Sequence, residues 1–280
     1  MYLSYIMRQY SILLFIPVLF VAILTIGCNQ SKPAQSPAGM VLVPGGMNKN
    51  GEKMKPFFMD VSPVTVAQFD AFVKATGYVT EAQKFGNSGV FDTATHSWSL
   101  VNGADYRHPL GTAKPAALPT QPATQISWHD AEAYCNWAHK RLPTQKEWVY
   151  AAMNANGDYN KKYPWGDSLI ENGKYKANVW EGHFPAFNTV ADGFAYTSPV
   201  GYFGKTPLGL TDMGGNVWEW IQDWKNIADT TGQTAEKLQM GGSCLCDWHV
   251  CHGYKIGNTS SSTPETGLCH VGFRCVKDIE

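Results

Sequence analysis

The sequence predicts an α+β domain with little regular secondary structure. Three capped helical stretches, a few short β-type runs, and long connections rich in Gly, Pro, Asn and aromatic residues point to that class. With 44% hydrophobic residues, ten Trp and thirteen Tyr among 280 residues, the chain can bury a sizeable core. Loops of this length must be ordered by aromatic packing, metal ions or disulfides, because backbone pairing cannot reach them all.

Ahead of the domain, Ile12 to Leu24 is an apolar run with Arg8 before it and Gly27-Cys28 after it. Pro17 interrupts the run, which falls short of the roughly 20 residues a bilayer core needs. It therefore reads as a signal peptide over residues 1–27 rather than a spanning helix. Thr25-Ile26-Gly27-Cys28 resembles the lipobox of bacterial lipoproteins. That resemblance implies Cys28 as a lipid anchor and an exported protein held to a membrane, in the periplasm or at the cell surface. Residues 28–39, rich in Ser, Pro and Gln, read as a flexible tether, and the folded domain occupies residues 40–280.

The first helix is expected from Thr65 to Ala75, with Val66, Phe69 and Val73 on one face and Gly77 beyond its end. A second starts at Ser127, where Ser127 and Asp130 form a capping box and Ala131, Tyr134, Cys135 and Ala138 face inward. A third starts at Thr144, with Glu147 as its box partner and Trp148 and Ala151 inside. Strands are expected at Met40–Val43, Phe57–Val61 and Gly272–Val276. A formal net charge of -1 and 16% charged residues give no electrostatic reason to expect a nucleic-acid partner.

Removing Cys28 from the seven cysteines leaves six, which allow fifteen disulfide connectivities. Five of the six crowd between Cys244 and Cys275, too dense for stapling a whole domain. From spacing alone, Cys246 and Cys251 read as a disulfide in an oxidising compartment.

Several phrases together resemble the sulfatase-modifying-factor fold. They are Met40-Val41-Leu42-Val43-Pro44-Gly45-Gly46, Ser127-Trp128-His129-Asp130-Ala131, Arg141-Leu142-Pro143-Thr144, Gly215-Asn216-Val217-Trp218-Glu219-Trp220 and Gly272-Phe273-Arg274-Cys275, in that order along nearly the whole domain. Two further phrases, Thr76-Gly77-Tyr78-Val79-Thr80-Glu81 and Gly242-Ser243-Cys244-Leu245-Cys246-Asp247-Trp248-His249-Val250-Cys251, resemble the formylglycine-generating enzymes themselves. The resemblance implies a C-type-lectin-like α+β fold, and it turns Cys246 and Cys251 from a disulfide into paired ligands of Cu(I). Two thiolates suit that soft ion, with room for the substrate's own cysteine as a third. It also implies Ser243 and Trp218 beside the site, O2 as co-substrate, and an unfolded sulfatase segment of the Cys-x-Pro-x-Arg type as substrate. Its cysteine would lose a hydrogen from Cβ, pass through a thioaldehyde and end as formylglycine.

By the same resemblance, Cys135 and Cys275 form a structural disulfide. Asn178, Val179, Asp192 and Phe194 form one Ca2+ site, and Asp212, Met213, Gly215, Val217 and Glu219 a second. The oxygen donors of these loops suit a hard cation, although turn chemistry alone also favours such residues. Cys244 and Cys269 lie outside the family pattern. They can pair, stay buried and reduced, or alter the copper site. Asp247 stands where the family often has His. A monomer is expected.

Two other readings compete with the oxidase. One is a non-catalytic cell-surface binding or assembly lipoprotein that keeps the fold. The other is a non-haem iron sulfoxide synthase of the superfamily, which carries a His-rich helical domain where this chain has a tether.

Overall fold

The computed structural model describes residues 36–155, 160–230, 232 and 234–279. The expected signal peptide, Cys28 and the tether as far as residue 35 lie outside them. Among the described residues no helix is long and apolar enough to cross a membrane.

The described residues contain four helices: α1 Val66–Thr76, α2 Glu81–Phe85, α3 Trp128–Trp137 and α4 Gln145–Ala152. Each begins with a complete capping box, built from Thr65 and Gln68, Thr80 and Gln83, Ser127 and Asp130, or Thr144 and Glu147. Such a box gives acceptors to amide groups that the first helical turn leaves unpaired. α1 and α2 end on Gly77 and Gly86 in the left-handed conformation. On α1 the buried positions are Val66, Phe69 and Phe72, whereas Val73, expected inside, is half-buried.

Two sheets frame the domain. The smaller has Phe57–Asp60 at its centre, antiparallel to both Met40–Val43 and Val276–Asp278. The larger runs in the order Thr259–Ser262, Lys237–Met240, Trp218–Trp224 and Val271–Phe273, with its last pair parallel. The single strand expected over Gly272–Val276 is therefore two strands in different sheets. The chain changes sheets at Arg274 and Cys275, because the Arg274 side chain turns inward to meet Glu219. Nε and Nη2 reach the two Glu219 oxygens at 2.7 Å each, and both side chains are essentially unexposed. Arg274 also donates to the carbonyls of Asp60, Val61, Thr211 and Asp212, so its burial leaves no donor group stranded.

The main core is aromatic. Phe69 meets Phe72, Tyr106, Tyr134 and Phe273 with ring centres 5.0 to 6.2 Å apart. Burying each such ring stabilises the fold by roughly 2–3 kcal/mol. Cys135 on α3 and Cys275 lie at disulfide distance, their Cα atoms 6.2 Å apart and 140 residues separated in sequence. This link ties the core helix to the point where the chain changes sheets. A regular antiparallel hairpin, Asn87–Asp92 with Ser97–Asn102, and a two-residue ladder between Gly182–His183 and Phe187–Asn188 extend from the framework toward the cysteine-rich segment.

Candidate active site

The strand Lys237–Met240 delivers the chain to Gly241-Gly242-Ser243, and the turn that follows carries Cys246. Gly242 has φ of 71°, and a Cβ there would collide with the backbone of Gly253 and Tyr254. A Cβ on Gly253 would in turn run into the ring of Trp218. The two glycines thus let the returning limb of the cysteine loop lie directly on the first limb and on Trp218.

Within the turn, the amide of Cys246 donates to the Ser243 carbonyl at 3.0 Å, while the amide of Ser243 donates to the Cys246 sulfur at 3.4 Å. The Ser243 hydroxyl lies 3.9 Å from the same sulfur and accepts from the Leu245 amide at 3.2 Å. In the reduced pair, the amide donor aimed at this sulfur would favour the thiolate over the thiol. Asp247, fully buried, then shapes the loop: its carboxylate accepts from Val250 N at 2.6 Å and from Phe184 N at 3.1 Å. Its carbonyl takes the His252 amide at 3.1 Å. The result brings Cys251 back to Cys246, with Cα atoms 5.1 Å apart and the sulfurs at disulfide distance.

The structure draws this pair as a disulfide, where free thiolates were expected. Reduced, the same two sulfurs converge on one point from a preset loop, which is the donor set a two-coordinate soft ion requires. Cys246 is buried and Cys251 half-buried, so approach is from the Cys251 side. Trp218 is 4% exposed and packs in the apolar cluster that contains Cys246 and touches Cys251, so it both fills the core and walls the sulfurs. Cys244 and Cys269 are free, buried thiols within one apolar cluster with Phe91. Burial pushes Cys269 up to about 11 and Cys244 well above the ordinary thiol range. Of the three alternatives for them, buried and reduced is the one the structure supports.

Among the described residues no three His, Cys, Asp or Glu side chains converge as a metal cluster. A calcium site here must therefore draw on amide and carbonyl oxygens. Asn178 and Asp192 fit that demand. Asn178 donates its Nδ2 to Tyr196 O and Asn216 Oδ1, which leaves its buried Oδ1 with no partner. Asp192 accepts from Val179 N at 3.0 Å and Phe194 N at 2.8 Å, folding these residues about its carboxylate. Glu181, not foreseen from the sequence, adds a second buried carboxylate, close to the amides of Ala191 and Asp192. Burial, with the Asp192 charge adding to it, pushes Glu181 up to about 7, and the nearby amides of Ala191 and Asp192 offset this only in part. A cavity of about 730 Å³ lined by Tyr175, Lys176, Asp192 and Tyr202 opens this region to solvent.

The second expected set differs in its carboxylate, which is already paired. Glu219 is committed to Arg274 and to Trp148 Nε1, which donates at 2.8 Å. Asp212 accepts from Gly201 N at 2.6 Å and Asn216 Nδ2 at 3.2 Å. Met213, Gly215 and Val217 can offer main-chain carbonyls alone, and that of Gly215 already accepts the Val217 amide at 2.9 Å. The Arg274 guanidinium already supplies the positive charge that a metal would bring.

Residues 26–279 match the sulfatase-modifying factor enzyme 1-like domain. The formylglycine-generating enzyme of Streptomyces coelicolor is 36% identical over 288 residues, covering 88% of this chain and 91% of that protein. The bovine formylglycine-generating enzyme is 38% identical over 247 residues, 79% of this chain and 66% of its own length, so the chain spans just under two thirds of that relative. A mouse protein named inactive C-alpha-formylglycine-generating enzyme 2 is 35% identical, with 92% of each chain covered. Among solved structures, PvdO from Pseudomonas aeruginosa superposes with a TM-score of 0.59 at 22% identity, over 86% of this chain and 94% of that one. This last likeness speaks to the fold alone.

Proposed function

The chain belongs to the sulfatase-modifying factor family, and from that premise we propose that it is a copper- and O2-dependent oxidase. It converts a cysteine within a Cys-x-Pro-x-Arg segment of an unfolded sulfatase to formylglycine, and so activates the sulfatase. One observation carries the reading: Cys246 and Cys251 are drawn together by a loop whose two anchors, Ser243 and Asp247, are themselves buried and hydrogen-bonded.

Cu(I) held between the two sulfurs would supply O2 activation and a third coordination place for the substrate thiol. The remaining tasks fall to the chain's own residues. Ser243 holds negative charge on the Cys246 sulfur through its amide and hydroxyl. Trp218 and the surrounding apolar cluster keep water from the buried side of the pair. Asp247 fixes the loop, so that the substrate Cβ meets a preset geometry and its alignment is not left to chance. Ca2+ at Asn178, Val179, Asp192 and Phe194 has a structural task in this reading, and the protein is an exported, lipid-anchored monomer.

Incubation of a Cys-x-Pro-x-Arg peptide with Cu(I)-loaded protein and O2, followed by mass spectrometry, tests the proposal. The expected product has lost sulfur and gained an aldehyde oxygen. Unchanged peptide with wild-type protein of verified copper content rejects it.

A second reading is supported by the mouse relative's name and by the disulfide form of the pair: a surface binding protein that keeps the fold without the oxidation. In that case Cys246→Ser and Cys251→Ser leave its biological role intact.

A further inference from the structure

Outside the cysteine pair, two imidazoles from distant segments meet at the surface. His183, on the ladder Gly182–His183, and His249, in the cysteine loop, have ring centres 5.2 Å apart and planes inclined by 71°. Both side chains are exposed, and neither ring nitrogen is engaged by another described residue. We propose that His183 and His249 together bind a divalent transition-metal ion, Cu(II) foremost, at the protein surface beside the cysteine loop.

The spacing is that of a shared ion. An imidazole nitrogen about 2.0–2.1 Å from a metal sets its ring centre roughly 3 Å from the ion, so two rings on one ion stand roughly 4.5–5.5 Å apart. Imidazole suits Cu, Zn and Ni, and among these Cu(II) binds most tightly at a given nitrogen site.

The pair is also held in place. Asp247 accepts the amides of Phe184 and Val250 on its two oxygens, and these are the residues immediately after His183 and His249. One buried carboxylate therefore positions the backbone of both histidines, and the Trp248 ring lies against His249 with centres 3.6 Å apart. Two ligands on preset backbones bind an ion with little ordering cost, which a chance surface pair does not achieve. The remaining coordination places face solvent and go to water. The site is separate from the thiol pair and stands whether or not Cys246 and Cys251 hold copper.

Cu(II) is titrated into the purified protein with Cys246 and Cys251 left oxidised, and binding is read by electron paramagnetic resonance. The expected signal is a Cu(II) centre with coupling to two imidazole nitrogens. His183→Ala and His249→Ala each weaken binding on the order of tenfold and remove one coupling, with unchanged melting curves, while His252→Ala has no effect. The proposal is overturned if neither substitution alters the spectrum, if only one does, or if the signal vanishes in Cys246→Ser/Cys251→Ser.

Discussion

The amide of Ser243 donates to the sulfur of Cys246 at 3.4 Å, with the Ser243 hydroxyl 3.9 Å from the same atom. Hydrogen bonds to a charged acceptor contribute roughly 1.5–3 kcal/mol. Ser243→Ala keeps the amide and removes the hydroxyl. Cu(I) affinity of the reduced protein, measured by competition with a chromophoric chelator, is expected to fall by about tenfold. An unchanged affinity would show that the hydroxyl serves the turn alone.

Linking Cys135 to Cys275 closes a loop of 140 residues. In the chain-entropy view such a closure stabilises by about 5 kcal/mol. Cys135→Ser/Cys275→Ser should therefore lose several kcal/mol in denaturant unfolding without reductant. Treatment with reductant lowers the wild type toward the variant. Equal unfolding curves for variant and oxidised wild type would contradict the link.

Calcium stoichiometry separates the two loops. Asn178 offers an unpartnered buried oxygen, whereas Glu219 is paired with Arg274. Isothermal titration of chelator-stripped protein is expected to show one Ca2+ per chain, abolished by Asn178→Leu and retained in Asp212→Asn. Two equivalents in the wild type, or loss in Asp212→Asn, would reverse this assignment.

His270 gives the fold an acid-sensitive element. Burial lowers its pKa from 6.5 to about 4, and its Nδ1 has no partner. The unfolded chain takes up the proton near pH 6.5 and the folded chain only near pH 4. Stability is thus complete above about pH 6.5 and declines as pH falls toward 4. The full shift corresponds to about 3 kcal/mol, and the partial exposure of the residue reduces this to about 2. His270→Phe is expected to flatten the unfolding free energy across that window. A variant that keeps the wild-type slope would point to another group.

Much of the frame is legible in the sequence because its signals are local. The capping boxes at Ser127 and Thr144 each lie within four residues, and the helices start where they say. α2 escapes notice although Thr80 and Gln83 form the same box, since five residues carry no apolar stripe. The hairpin strand Ser97–Asn102 escapes as well: Trp98 and Leu100 alternate with serines but stay exposed, so the alternation marks no core face.

The site divides in the same way. Cys246 and Cys251, and the Asn178 loop, stand out as metal-site candidates through the family resemblance, since spacing alone reads as a disulfide and a turn. In the second calcium set, what neutralises Glu219 is Arg274, 55 residues further on, and no local pattern reports that partnership. Asp247 reads as a departure from the family, yet in the fold it is the residue that shapes the loop. Its Phe184 partner lies 63 residues away and becomes visible only when the chain is folded.

That tie has a bearing on exchange between relatives. Segment 182–188 and segment 243–254 share one carboxylate as their common fastening, so neither can be transplanted alone without leaving an amide or an acid unanswered. A graft of the cysteine loop into a homologous scaffold must bring the Phe184 ladder with it. The two stretches behave as a single inheritable cassette, although the chain writes them far apart.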